Sequence, residues 1–260
     1  MKEEPEDISV FSLPFRWGAV SDIGKARDEN QDTFLVEPEL GLFLVSDGMG
    51  GHQGGALASK IVIEDLPVMI ETRLDKLKAG SPRTIRALFK KAVMEQSRQL
   101  QLEGTSESGF KDMGATLVMA LLRNNRAFIA NLGDSRIYRF RKGRLLQLTK
   151  DHSVVSELLD QGRIKAEEIE NHDVQGQITH YIGMEEKAHP NVRSFLLKEG
   201  DRLLLCSDGL TDMIDDKSIA SILNESSDCQ VSCQALVNAA NAAGGCDNVT
   251  VVVIDWLSRS

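Results

Sequence analysis

Leu42-Phe43-Leu44-Val45-Ser46-Asp47-Gly48 and Leu203-Leu204-Leu205-Cys206-Ser207-Asp208-Gly209 are two apolar runs, far apart in the chain, that end alike in Ser-Asp-Gly. A short uninterrupted apolar run closed by a turn signal reads as a strand buried on both faces. Each run therefore delivers a carboxylate from the end of a buried strand. Ala130-Asn131-Leu132-Gly133-Asp134 repeats the arrangement, Asp32 stands at the start of another strand, and Asp247 lies just before the last one. Five carboxylates are thus expected at sheet edges.

Asp-Gly is also the commonest turn dipeptide, so one occurrence alone would be read as a turn. Asp255, also at a strand end, is expected to be only a cap. Carboxylates gathered in a partly dry place repel one another and raise each other's pKa, which is tolerable only with a strong countercharge. Hard oxygen ligands without histidine or cysteine favour Mg²⁺ or Mn²⁺ over zinc or copper. Two such ions about 4 Å apart can share a water, lower its pKa and direct it at an electrophile, for which a phosphate ester is the natural target. Glycine after Asp47 and Asp208 allows close backbone approach, and the Gly48 carbonyl is a further candidate ligand.

Working outward, alternation and turn residues predict strands at 16–21, 32–36 and 42–46, then a glycine-rich turn at 48–55. Ala56, Leu57, Ile61, Val62, Leu66 and Ile70 recur at helical spacing, with Pro67 predicting a break or bend. Ser81-Pro82 supplies an N-cap and a first-turn proline for a second helix carrying Ile85, Leu88, Phe89, Ala92, Val93 and Leu100. Short strands at 116–122, 127–132, 136–140 and 145–148 read as one antiparallel meander. A short capped helix is expected over 151–162 and a mobile surface insertion over 163–190. Strands return at 192–197 and 202–206, helices at 217–223 and 231–243, and a last strand at 249–256. Strands interleaved with paired helices argue an α+β layered fold.

The 260 residues, 42% hydrophobic and 27% charged, suffice for a large core. Thirty basic against 39 acidic side chains give a net charge of -9, which disfavours nucleic acid and anionic membranes as partners. The acidic start lacks a signal peptide's basic and apolar regions, and no apolar run approaches the roughly 20 residues of a membrane span. A cytoplasmic location is the expectation. Cys206, Cys229, Cys233 and Cys246 are read as reduced thiols, with Cys206 a buried strand residue.

Seven ordered motifs carry a resemblance. They are Arg27-Asp28-Glu29-Asn30-Gln31-Asp32; Ser46-Asp47-Gly48-Met49-Gly50-Gly51-His52; Gly114-Ala115-Thr116; Gly133-Asp134-Ser135-Arg136; Leu148-Thr149-Lys150-Asp151-His152-Ser153; Cys206-Ser207-Asp208-Gly209-Leu210; and Gly245-Cys246-Asp247-Asn248-Val249-Thr250. Together they resemble the PP2C-like (PPM) magnesium- or manganese-dependent serine/threonine protein phosphatases in their compact bacterial form. The resemblance implies a four-layer α-β-β-α sandwich, with two antiparallel sheets around a metal site and flanking helix pairs. It also implies a single phosphatase domain over 15–257 behind an acidic tail, 1–14, with a flap at 153–190.

Carried over by position, Asp47 would bridge two Mn²⁺ or Mg²⁺ ions, with the Gly48 carbonyl on one and Asp208 and Asp247 on the other. Asp32 would act through metal-bound water, and Asp134 would help Asp208 hold a third, weaker ion. Arg27 would grip the substrate phosphate, its planar donors suiting two oxygens at once. The implied reaction is in-line attack by a metal-bridging hydroxide without a phosphoenzyme. Eukaryotic members place a histidine where Met49 stands, which leaves His52 or a metal-bound water as the proton donor to the leaving group. His152 is expected to be structural. Within the flap, Asp173-Val174-Gln175-Gly176-Gln177 departs from related bacterial sequences, which often carry proline, arginine and asparagine there. Implied partners are phosphorylated proteins, substrates of a Ser/Thr kinase, met by a monomer. Two rival readings are a catalytically inactive relative that binds phosphoproteins and a metal hydrolase of small phosphate esters.

Overall fold

Along Leu42–Met49, strand β3, successive side chains point to opposite faces and both faces are dry. Leu42 and Leu44 pack with Val62, Leu66 and Phe89, whereas Phe43 and Val45 pack with Ile129, Leu205 and Val252. One strand thus feeds two cores, and this dictates layers. The computed structural model describes residues 13–77, 80–106, 113–165, 168, 172–174 and 176–257, with the backbone alone for 51–53 and 106.

One sheet has the order β2 (Asp32–Glu37), β3, β5 (Leu117–Arg123), β6 (Arg126–Leu132), β9 (Asn191–Leu196), with the short β4 (Gly114–Ala115) paired to β3. The other runs β1 (Phe15–Asp22), β11 (Val249–Trp256), β10 (Arg202–Cys206), β7 (Arg136–Arg141), β8 (Arg144–Gln147). Every pairing is antiparallel. Helices α1 (Gly51–Asp75) and α2 (Pro82–Ser106) cover the first sheet. Helices α5 (Asp216–Glu225) and α6 (Cys229–Ala242) cover the second, burying Tyr138, Leu204, Cys206, Val251 and Val253. The result is the expected α-β-β-α sandwich with three cores. A fully buried Leu or Phe in any of them is worth roughly 2 kcal/mol of apolar transfer. No helix among the described residues is long and apolar enough to cross a membrane.

Several local expectations need correction. The glycine-rich turn is shorter than 48–55, because α1 begins at Gly51. That helix also runs unbroken past Pro67. Proline costs about 3 kcal/mol in a helix interior, yet Leu66 and Ile70 beside it are fully buried and together offset that loss. The meander is not one sheet. After β6 the chain crosses to the other sheet at Gly133-Asp134-Ser135, and β7 pairs with β8 and β10. The single turn α4 (Asp208–Thr211) was not expected, and α3 is confined to Val154–Asp160, capped by Ser153. Asp255 is no mere cap: it takes two hydrogen bonds, 2.6 and 2.9 Å, from the buried Arg202.

Candidate metal centre

At one end of the sandwich the strand termini of both sheets open on a cavity of about 560 Å³. Ala26–Glu29 of the β1–β2 loop, the Asp47–Gly50 end of β3, Asp208, Asp247 and Asn248 line it, with Gly176 and Ile178 closing one side. The last two belong to the segment expected as the flap, which is tied down by bridges from Ser153 to Ile178 and from Ala115 to Ile182. Glu167 and Gln175 of that segment lie outside the described residues.

Antiparallel pairing of β2 with β3 sets Asp32 directly opposite Asp47. Like charges in register destabilise a sheet, so this pair is a sign of function. The β3 end is held by Thr116, whose backbone N–H donates to the Asp47 carbonyl (2.8 Å) while its hydroxyl accepts from the Asp47 N–H (3.0 Å). The same hydroxyl shares a 2.7 Å hydrogen bond with Ser135, which couples Asp47 to the crossover bearing Asp134. Asp32 spans the sandwich, its Oδ2 accepting a 2.7 Å hydrogen bond from Ser207 at the end of β10. A Cβ on Gly55 would stand 2.7 Å from the Gly48 carbonyl oxygen, so glycine leaves that oxygen uncovered.

The electrostatics show crowding. Burial, then the charges of Asp32, Asp208, Asp134 and Asp247, push the Asp47 carboxyl well above its ordinary range. Burial and then Asp134, Asp212, Asp32 and Asp247 do the same to Asp208. Burial carries Asp32 to about 6 against the hydrogen bond from Ser207, and burial with Asp151 carries Asp134 to about 7. Asp47 therefore feels the charges of the other four sequence-predicted aspartates, and Asp208 those of three of them. Asp32, Asp134 and Asp208 each hold a buried Oδ1 with no hydrogen-bond partner. An orphaned buried carboxylate oxygen is costly, and three on carboxylates whose charges bear on Asp47 are a donor set that suits a hard cation. Among the described residues, no three His, Cys, Asp or Glu side chains form a ready-made cation shell. A centre in which each ion takes one or two carboxylates, a backbone carbonyl and waters does not require one.

Arg27 stands 2.7 Å from Asp247 Oδ2, with 55% of its side chain exposed. The other oxygen, Oδ1, accepts from the Asn248 N–H at 2.8 Å. His52 lies in the first turn of α1, but its side chain is outside the described residues. His152 is structural as expected. Its Nδ1 accepts from the Gly133 N–H at 3.1 Å, and burial, then neighbouring His180, holds its pKa down to about 4. Sequence reading missed Thr116, Ser207 and Asn248 as residues that place these acids, and Asp212 as a further charge beside Asp208. The signal for the first three was their position inside the quoted motifs.

Fold and site together define the class of metal-dependent protein phosphatases. The model of the family described as protein phosphatase 2C matches residues 25–241, and the chain belongs to that family. It is 35% identical over 239 residues to protein phosphatase PhpP of Streptococcus pneumoniae serotype 2, covering 90% of this chain and 95% of that one. The solved serine/threonine phosphatase of S. agalactiae superposes with a TM-score of 0.85 at 32% identity, over 94% of this chain and all (100%) of that one. The catalytic domain of the phosphatase PstP, solved with two manganese ions, gives 0.76 at 33% identity, over 94% of this chain and 99% of that one.

Proposed function

We propose that this chain hydrolyses phosphoserine and phosphothreonine in proteins at the acidic cleft. The carrying observation is that Asp32, Asp134 and Asp208, whose charges all bear on Asp47, each hold an orphaned carboxylate oxygen, and that Asp47 and Asp208 line a cavity that also presents Arg27. Asp47 would hold both of two Mn²⁺ or Mg²⁺ ions, the Gly48 carbonyl one of them, and Asp208 and Asp247 the other. Asp32 would orient water at the centre, and Asp134 with Asp208 would take a third, weaker ion. When bound, the cations supply the charge that acidifies water and neutralises the phosphoryl oxygens.

Arg27 orients the substrate. Its guanidinium already hydrogen-bonds a planar oxyanion, Asp247, and its exposure leaves the remaining donors free for two phosphate oxygens. Ile178 and Met49 add apolar side chains to the cavity wall. No protein nucleophile is needed, and Cys206 is ill suited to be one, its thiol pushed up to about 12 by burial. We place the enzyme in the cytoplasm as a monomer that reverses a Ser/Thr kinase, a setting in which its four free thiols stay reduced.

The test compares Mn²⁺-dependent release of phosphate from phosphothreonine peptides, p-nitrophenyl phosphate and nucleotides. Turnover of the peptide with metal and its loss on chelation is expected. Peptide binding without turnover, or preference for nucleotides, would overturn the reading.

A further inference from the structure

Arg27 rides on a loop without regular structure, and a phosphate grip is only as good as the loop that aims it. Between β1 and β2 the chain runs from Ile23 to Gln31, and both ends of that run are fastened to one side chain. The Asn248 amide donates to the carbonyls of Ile23 (2.9 Å) and Glu29 (3.0 Å), and its Oδ1 accepts from the Gln31 N–H (2.8 Å). Both Nδ2 hydrogens and the oxygen are thus engaged, in a residue only 5% exposed. The loop is pinned once more where the Lys25 N–H donates to the Gly245 carbonyl at 2.7 Å.

The main chain of Asn248 reaches the other partners. Its N–H donates to Asp247 Oδ1, leaving Oδ2 for Arg27, and its carbonyl lies where a Cβ on Gly209 would be only 2.0 Å away. One residue therefore meets the Arg27 loop, Asp247 and the Asp208-Gly209 turn. The chemistry required is specific to asparagine, because aspartate would set a carboxylate oxygen against two carbonyls and add a charge beside Asp247.

We propose that Asn248 is the positioning residue for substrate phosphate: it fixes the loop so that Arg27 stands across the cleft from Asp47 and Asp208, and it acts on substrate binding through Arg27. This rests on the proposed phosphate role of Arg27. Asn248 lines the cavity, but both amide hydrogens and the oxygen of its side chain are spent on the loop, so it acts through Arg27.

The experiment is a double-mutant cycle of Asn248→Ala and Arg27→Ala, read as KM and kcat on a phosphothreonine peptide at saturating Mn²⁺. Mn²⁺ affinity by calorimetry and thermal melting accompany it. Asn248→Ala should raise KM about tenfold with kcat within about threefold and Mn²⁺ affinity unchanged, and should add less than about twofold once Arg27 is alanine. Equal KM effects in both backgrounds, or a loss confined to kcat or to Mn²⁺ affinity, would overturn the role of Asn248. If Arg27→Ala alone leaves KM unchanged, the phosphate role of Arg27 falls with it, which separates the two failures. Asn248→Ser, a milder change that keeps a hydroxyl, goes through the same cycle. Collapse of the fold in both Asn248 variants would refute a role specific to Arg27.

Discussion

The two Ser-Asp-Gly strand ends begin with nearly the same sequence and part company at the aspartate. In β3 the strand continues through Asp47, Gly48 and Met49, because Gly48 and Met49 find a partner in β4. In β10 the strand stops at Cys206, and Asp208 opens the single turn α4 with Leu210 fully buried. The preceding serines diverge likewise. Ser46 spends its hydroxyl on the carbonyl of Thr116 within its own sheet, whereas Ser207 donates across the sandwich to Asp32. One end is a ruler that keeps Asp47 in register with Asp32, and the other is a clasp between the sheets. Identical local sequence supplies the carboxylate, and the partner strand decides what its neighbours do.

The largest effect should come where the two ends are equivalent. Asp47→Asn and Asp208→Asn should each reduce kcat by about a thousandfold or more while preserving cooperative melting, since each removes a charge from the mutually repelling set that we propose holds the cations. Near-normal turnover in either would break the equivalence. Next come the glycines. A Cβ at Gly48 would lie 2.0 Å from the Gly55 carbonyl oxygen and one at Gly209 the same 2.0 Å from that of Asn248. Both alanine variants should lose about 1–3 kcal/mol in denaturant unfolding, and an unchanged midpoint would show that the backbone can yield there.

Between the serines the ends should differ. Ser207→Ala should lower kcat about tenfold by freeing Asp32, while Ser46→Ala should cost about 1 kcal/mol of stability and little rate. Equal kinetic losses would erase the distinction between ruler and clasp. The smallest effect is in pH. Asp32 and Asp134 are raised to about 6 and about 7 from 3.8, so the folded metal-free protein binds more protons than the unfolded chain between those values. The stability they contribute is therefore full below about pH 4 and is lost as pH rises through about 6 and about 7. Melting temperatures of the metal-free protein should fall over that window, less steeply in Asp134→Asn, and an identical slope in that variant would contradict the assignment.

Asp47 and Asp208 were legible because an apolar run ending in Asp-Gly is a local signal that fixes both burial and exit point. The layered class followed from Leu42–Val45 and Leu203–Cys206, buried on two faces. What the sequence did not yield was decided by distant partners. The crossing between sheets at Gly133-Asp134-Ser135 depends on β10 pairing with β7, some sixty residues on. The continuation of α1 past Pro67 depends on a sheet that buries Leu66 and Ile70. Asp255 read as a cap because Arg202, more than fifty residues earlier, gives no sign in sequence that it is the partner. The roles of Ser207 and Asn248 were hidden for the same reason, since a hydrogen bond across 175 or 217 residues has no local signature.

The central claim is that five aspartates from both sheets converge to hold divalent cations. Calorimetric titration of Mn²⁺ into the metal-free protein at neutral pH tests it most directly. At least two ions per chain should bind, with protons released as the raised carboxyls ionise. Absence of binding, or binding without proton release, would contradict the account.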